Sequence, residues 1–331
     1  MTFNRREFLD LSLGAGAFLA AAPLASTAQP AIKLPKISST FGGVPLGCGS
    51  ISFMDTPIEG VPALIASAGY GLVEIIDSHM QPPFGRGAPP GGASAPAPAG
   101  GANPASSAGA ARGGGGRAMD PETRAKLRDW RMTVPLSRFE EVAGLFRAQK
   151  IYVYSYHSHF TPDFTDGEID RVFEMAHTLG CQIMTAATIR TNEFALRLDP
   201  YAQKHKMRVG IHNLDANLST VAQYDEMLHG CSDYMGINFD IGHWADAGAD
   251  CVDLLRRRHD SIVELHIKGK RGTTPAGKIL ADGDNTAKDV LLALRDNKWP
   301  IPAVLEYEVR GTDKVVAVKE WFDYSKEVLL S

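Results

Sequence analysis

The sequence predicts a (β/α)8 barrel. Three observations carry that expectation. Short β-rich runs alternate with helical patterns eight times along the chain. The runs are apolar with little alternation, as strands are when both of their faces are covered. No GxGxxG or GxxxxGK[ST] turn joins a strand to a helix, and an open doubly wound sheet would be expected to carry one.

The elements can be taken in order. "NRREFLD" sets Arg5 and Arg6 before the apolar stretch "LSLGAGAFLAAAPLA", and "STAQ" then offers small residues for cleavage. This is the layout of a bacterial twin-arginine signal over residues 1–28, and it predicts export to the periplasm. The stretch is short and rich in Gly and Ala, a weak composition for a permanent span. Membrane contact is therefore expected only through this segment.

Residues 40–331 are expected to form the barrel. Its strands are read at Pro45–Phe53, Leu72–Asp77, Ile151–His157, Gln182–Thr188, Arg208–Asn213, Met235–Asp240, Ile262–Lys268 and Ala303–Tyr307. Helical patterns lie between them, among them "GEIDRVFEMAHTLG", with Gly180 as its C-cap. Residues 120–149 also read mainly as helix, interrupted near Val134 and Pro135, and Pro200 is expected to break the pattern it lies in. After the second strand the chain runs through Gly, Ala, Pro and Ser, from residue 82 to 118. That composition cannot bury enough apolar surface to offset its ordering entropy, so the run reads as an insertion into the barrel and not as a linker between domains.

Composition bounds the partners. The chain is 44% hydrophobic with a formal charge of −4 that is not segregated, so nothing points to nucleic acid. Cys48, Cys181, Cys231 and Cys251 form no CxxC and are read as buried thiols. The sequence leaves a homo-oligomer open.

The C-terminal ends of barrel strands converge on one face, and that face holds the active site. His212, Asp240, His266 and Glu306 fall at or near the ends of the last four predicted strands. Two imidazoles and two carboxylates on consecutive strands suit one divalent ion with open positions for substrate oxygens. Each has a structural alternative. Asp240 can cap the next helix, and Glu306 can pair with Lys268 or Arg310. Recurrence at equivalent points favours the metal. Glu74, His157 and His159 are expected at the same mouth as contacts for sugar hydroxyls, and Lys268 and Arg310 as groups that hold an anion or polarise a carbonyl.

Several stretches resemble the sugar phosphate isomerase/epimerase superfamily, the xylose isomerase-like TIM barrels. "GYGLVEI" is similar to its strand-two signature, "FDIGHWADAG" to its D-x-G-H element, "ELHIKGK" to its His-x-Lys strand and "AVLEYE" to its strand-eight glutamate. The resemblance implies Asp240, His266 and Glu306 as ligands and His243 as a residue facing substrate. Strand five of that family ends in Glu-Asn, where this chain has His212-Asn213, and Gly269 stands where an aspartate is usual. Chemistry that needs two carboxylates, one on each face of a sugar carbon, is thereby put in question. His212 is expected as ligand or base.

The expected function is isomerisation or epimerisation of a non-phosphorylated sugar or keto-sugar, with Glu306 and His212 moving the proton. Mn²⁺, Co²⁺ or Zn²⁺ is expected over Mg²⁺. Metal-dependent β-elimination of a 3-keto-glycoside is the alternative, and a non-catalytic sugar-binding barrel is another. A repair endonuclease on the same barrel would want more ligands and a basic groove.

Overall fold

The computed structural model describes residues 32, 34–82, 120–214, 218–269, 283–309 and 312–331. The predicted signal, all but the first residue of the predicted insertion, and Arg310 lie outside the described residues.

A two-residue strand β1 (Thr40–Phe41) turns antiparallel onto β2 (Val44–Gly49). A 3-10 turn over Ser50–Phe53 and α1 (Val61–Ala68) lead to β3 (Leu72–Ile76) and α2 (Asp77–Met80). Next come α3 (Pro121–Thr133), α4 (Ser137–Ala148), β4 (Tyr152–His157), α5 (Asp166–Leu179), β5 (Ile183–Ala186), α6 (Asn192–His205) and β6 (Arg208–His212). The chain continues through α7 (Val221–Met227), β7 (Met235–Asp240), α8 (Ile241–Asp246), α9 (Cys251–Arg258), β8 (Ile262–Ile267), α10 (Thr286–Asp296), β9 (Ala303–Leu305) and α11 (Lys314–Leu330).

Strands β2 to β9 pair in sequence order, all parallel, and β9 closes onto β2 through Leu46↔Ala303 and Cys48↔Leu305. This is the eight-stranded barrel. Its strands are buried almost throughout, which explains their near-continuous apolar runs. The helices form by local rules. In α5 the Thr165 hydroxyl accepts from Glu168 N while Glu168 reaches back to Thr165 N, and Gly180 ends the helix at φ 85°. Ile169, Val172, Phe173, Ala176 and Leu179 make its buried face. Pro200 does not break α6. The carbonyl it leaves unbonded is that of Leu196, a residue exposed to solvent.

The first and last strands end earlier than expected, and the fourth is trimmed at both ends to Ile183–Ala186. The first ends at Gly49 because Ser50 and Ser52 turn their hydroxyls onto other strands: Ser50 Oγ accepts from Ile76 N and Ser52 Oγ from Tyr307 N, both at 3.0 Å. The last ends at Leu305, although Glu306 N still donates to Ile267 O at 3.2 Å.

Inside the barrel, Ile37, Leu72, Tyr154, Ile183, Val263 and Val304 pack as an apolar floor. Gly210 makes room for it, since a Cβ there would stand 2.6 Å from Val263 Cγ2. Two residues further along their strands, Leu72, Ile183 and Val304 give way to Glu74, Thr185 and Glu306. The barrel interior thus changes from apolar to ionisable as it approaches the C-terminal ends. All four cysteines are free thiols, three buried and Cys231 half-buried.

Candidate metal centre

Asp240 closes β7 and opens α8. Its Oδ1 accepts from His243 N at 2.9 Å, so it does cap the helix, and this fixes the carboxylate. Oδ2 is turned inward, 3.3 Å from His212 Nε2 and 2.6 Å from Lys268 Nζ. Asn213 makes the fixing possible. Its Nδ2 donates to Asp240 O and its Oδ1 accepts from Asp240 N, both at 2.8 Å, while Tyr224 Oη donates to the same Oδ1 at 3.2 Å. The pair His212-Asn213 therefore has two tasks: a lone pair in the site, and a clamp on the backbone of the neighbouring strand.

His266, registered opposite Asp240, is fully buried. Its Nδ1 lies 3.2 Å from Glu306 Oε1 without hydrogen-bond geometry. Its Nε2 faces Glu74 Oε2 at 3.0 Å, Glu264 Oε1 at 3.3 Å and the Asn238 amide at 3.1 Å. Lys268 Nζ bridges Asp240 Oδ2 and Glu306 Oε2, each at 2.6 Å.

One donor atom from each of His212, Asp240, His266 and Glu306 lies within 4.8 Å of the others, and all four residues are buried. Two imidazole nitrogens and two carboxylate oxygens so placed fit a divalent transition ion. The second observation is that His266 Nδ1 is buried with no hydrogen-bond partner. A second group, Glu74, Glu264 and His266, meets the same distance limit beneath the first.

The charges suit that use at three of the four residues. At His266 burial opposes the charge, but Glu306 and Glu74 raise the ring well above the ordinary imidazole value, so an ion would have to displace a proton there. Burial pushes His212 down to about 4 despite Asp240, so its ring is neutral at pH 7 with a lone pair to give. Burial opposes charge on Asp240 and Glu306, yet Lys268 and the imidazoles outweigh it and hold both well below the usual carboxylate range. Burial also opposes charge on Lys268, but Asp240, Glu306 and Glu308 keep it an ammonium ion. Burial lifts Glu264 to about 8, with the charge of Glu74 adding to it.

The other expected residues among the described ones surround this cluster with one difference. His157 and His243 flank His212, with ring centroids 6.1 and 5.7 Å away. His157 Nδ1 bonds Thr185 Oγ at 2.9 Å. His159 stands at the mouth with its side chain 42% exposed, held by Asp77 through a 2.7 Å contact to Nδ1 and a 2.8 Å bond to N. Glu74, read as a mouth residue, lies in mid-strand, 2% exposed and against His266. Sequence reading passed over Asn213, Asn238, Thr185, Glu264 and Asp77 as site residues. Glu264 carries a visible signal, a carboxylate two residues before His266 on the same strand face.

A family model described as the xylose isomerase-like TIM barrel matches residues 115–329. The chain belongs to that family. Among curated proteins none matches. Solved structures of the same fold include a D-psicose 3-epimerase determined in the presence of D-fructose, at 11% identity and a TM-score of 0.59, covering 87% of this chain and all of that one. The 3-keto-D-glucoside 4-epimerase of E. coli shares 12% identity at a TM-score of 0.55, over 86% of this chain and 99% of its own. A sugar phosphate isomerase/epimerase from Parabacteroides distasonis shares 13% identity at 0.55, over 92% and 99%. At these identities the likeness is one of fold.

Proposed function

We propose that the chain is a divalent-metal-dependent enzyme that moves a proton beside the carbonyl of a non-phosphorylated sugar or keto-sugar, as an isomerase or epimerase does. The observation that carries the reading is the convergence of His212, Asp240, His266 and Glu306 on one point, with Lys268 at its edge. One ion would be held by those four side chains, with Mn²⁺, Co²⁺ or Zn²⁺ preferred to Mg²⁺ because two donors are imidazoles. Such an ion supplies Lewis-acid polarisation of adjacent sugar oxygens.

The chain's own groups do the rest. Glu306 Oε2 accepts the proton from the carbon next to the carbonyl. Lys268, now paired with that oxygen, turns to the substrate oxygen as negative charge moves onto it. His157, His159 and His243 contact hydroxyl groups at the mouth, and Arg310 is proposed to join them. Solved structures of the same fold with epimerase names, and the cluster of buried imidazoles and carboxylates at the barrel's C-terminal end, support this reading.

A second reading has one observation in its favour. His212 puts an imidazole where a second carboxylate base would stand, so Glu306 is the carboxylate left to act. Elimination from a 3-keto-glycoside needs proton removal on one face only, and a metal-dependent lyase would satisfy that. Export through the twin-arginine signal remains part of the proposal and fits a substrate without phosphate.

The test is metal analysis of the purified protein, then a screen of free and keto-sugars for deuterium uptake from D₂O. Isomerase or epimerase action predicts deuterium in recovered sugar. A lyase predicts an unsaturated product instead. Tight sugar binding with neither outcome would leave a binding protein and refute the enzyme.

A further inference from the structure

His266 has two ring nitrogens in two different environments. Nδ1 faces the ligand cluster and has no hydrogen-bond partner. Nε2 faces downward into the barrel, where two carboxylates reach it, Glu74 Oε2 at 3.0 Å and Glu264 Oε1 at 3.3 Å. Glu74 is ionised and can only accept, and at 3.0 Å from Nε2 it requires N–H there. The Asn238 amide then turns its oxygen to the ring. That oxygen is otherwise buried without a partner, and amide nitrogen and oxygen are assigned from the network around them.

The two carboxylates are not equivalent. Glu74 is anchored: the Thr185 hydroxyl donates to its Oε1, and His157 Nδ1 bonds the same hydroxyl at 2.9 Å. Neither oxygen of Glu264 has a hydrogen bond of good geometry. A ligating histidine needs its second nitrogen held by an acceptor, which fixes ring orientation and tautomer and raises the basicity of the ligating nitrogen.

We infer that Glu74 is the positioning residue of the metal centre, accepting from His266 Nε2–H so that Nδ1 presents its lone pair to the ion. Glu264, equally buried and only slightly further away, does not have that task. Thr185 and His157 extend the chain, so a hydrogen-bonded path runs from the mouth at His157 through Thr185 and Glu74 to His266. The inference rests on the metal reading above and assigns Glu74 a role in ion binding in place of contact with sugar hydroxyls.

The test compares two isosteric changes. Glu74→Gln places an amide where an acceptor stood. Its NH₂ meets a bare Nε2 best, which drives the ring hydrogen to Nδ1 and removes the ligand. Glu264→Gln leaves the Glu74 acceptor in place. Mn²⁺ binding to each folded protein is measured by electron paramagnetic resonance of the free ion, with the parent and His266→Ala as references. Glu74→Gln is expected to weaken Mn²⁺ binding by about 10- to 100-fold, the range for loss of such a partner. Glu264→Gln should change it by less than about threefold, because it leaves that partner intact. Thr185→Val, which removes only the anchor, should weaken binding by several-fold and serves if Glu74→Gln does not fold. A merely structural role would shift the unfolding midpoint and leave the affinity of the folded protein alone. Equal losses in both glutamine variants would mean that net interior charge is what matters, and would overturn the inference. So would unchanged affinity in both Glu74→Gln and Thr185→Val while His266→Ala loses the ion. If the parent binds no Mn²⁺, or His266→Ala binds as the parent does, the metal reading itself falls, and this inference with it.

Discussion

Lys268 and Glu306 share a buried ion pair in which Nζ stands 2.6 Å from Oε2, while the other oxygen of the same carboxylate faces His266 Nδ1 at 3.2 Å. One carboxylate thus serves two neighbours with separate atoms. Oε1 faces His266 within the candidate cluster, and Oε2 is held by Lys268. The same ammonium contacts Asp240 Oδ2 at 2.6 Å, so it partly neutralises the two carboxylates that an ion would use.

Lys268→Met separates those roles. Loss of the ammonium removes repulsion towards an incoming cation, so Mn²⁺ affinity is expected to stay or rise. Turnover should fall about 100- to 1,000-fold, the usual loss when one donor to a developing oxyanion is removed. The checks are Mn²⁺ titration and deuterium exchange on the same preparation. Turnover within threefold of the parent would place Lys268 outside the reaction.

Glu264 makes a pH prediction for chelator-treated protein. Burial, helped by Glu74, lifts it from an ordinary value of 4.5 to about 8. Between those values the folded state binds a proton that the unfolded state has lost, so stability falls as pH rises through that window. Glu264→Gln removes the dependence. It should be more stable than the parent at pH 7.5 by about 2 kcal/mol, part of the linkage term such a shift allows. The gain should vanish near pH 4. Parallel melting curves at both pH values would show that the carboxyl titrates normally.

Away from the site, Glu168 binds three arginines of α3. Arg124 Nη1, Arg128 Nε and Arg131 Nη1 lie 2.8, 3.0 and 2.9 Å from its oxygens, and the carboxylate is fully buried. Glu168→Ala leaves Arg131 buried without its partner and breaks the capping box of α5. The expected loss is about 3 kcal/mol or more. In the parent, burial opposes charge on Glu168, but the arginines hold it down to about 2. Its contribution is therefore present above the ordinary carboxylate value and lost as pH falls towards 2. Urea melts at pH 7 and pH 3 test both statements.

Much of the fold and the convergence of the four candidate ligands was legible because barrel strands carry two unambiguous signals, an apolar run and a polar residue where it ends. His212, Asp240 and His266 sit at such ends, so a shared face followed from topology alone. Glu74 was misjudged in depth. Its strand ends two residues later at Ile76, and its carboxylate meets His266 across the barrel interior, from a strand that β8 does not pair with. The roles of Asn213 and Thr185 were not legible for the same reason. Their partners lie on other strands, and a neutral side chain gives no hint of which atom it will meet.

Export is expected to depend on Arg5 and Arg6. Replacing both with lysine keeps the charge and removes the paired guanidinium groups that mark the twin-arginine signal. Precursor should then accumulate in the cytoplasm on fractionation. Unchanged delivery to the periplasm would refute that route.

The last prediction concerns His212. Its ring is neutral, buried and 3.3 Å from Asp240 Oδ2, at a strand end where the sequence resemblance implies glutamate. With an imidazole there, an ion held by the cluster would keep more of its positive charge and would polarise a carbonyl oxygen more strongly. His212→Ala should weaken Mn²⁺ binding at least tenfold and abolish turnover while the barrel remains folded, because Asn213 and not His212 clamps the backbone of Asp240. His212→Glu should restore ion binding, move preference towards Mg²⁺ and supply a second carboxylate. Reversible epimerisation is then expected to gain on elimination. If His212→Ala binds Mn²⁺ as tightly as the parent yet turns over no substrate, His212 acts on the proton and not on the ion. If it does neither, the strand-five difference has no part in the chemistry.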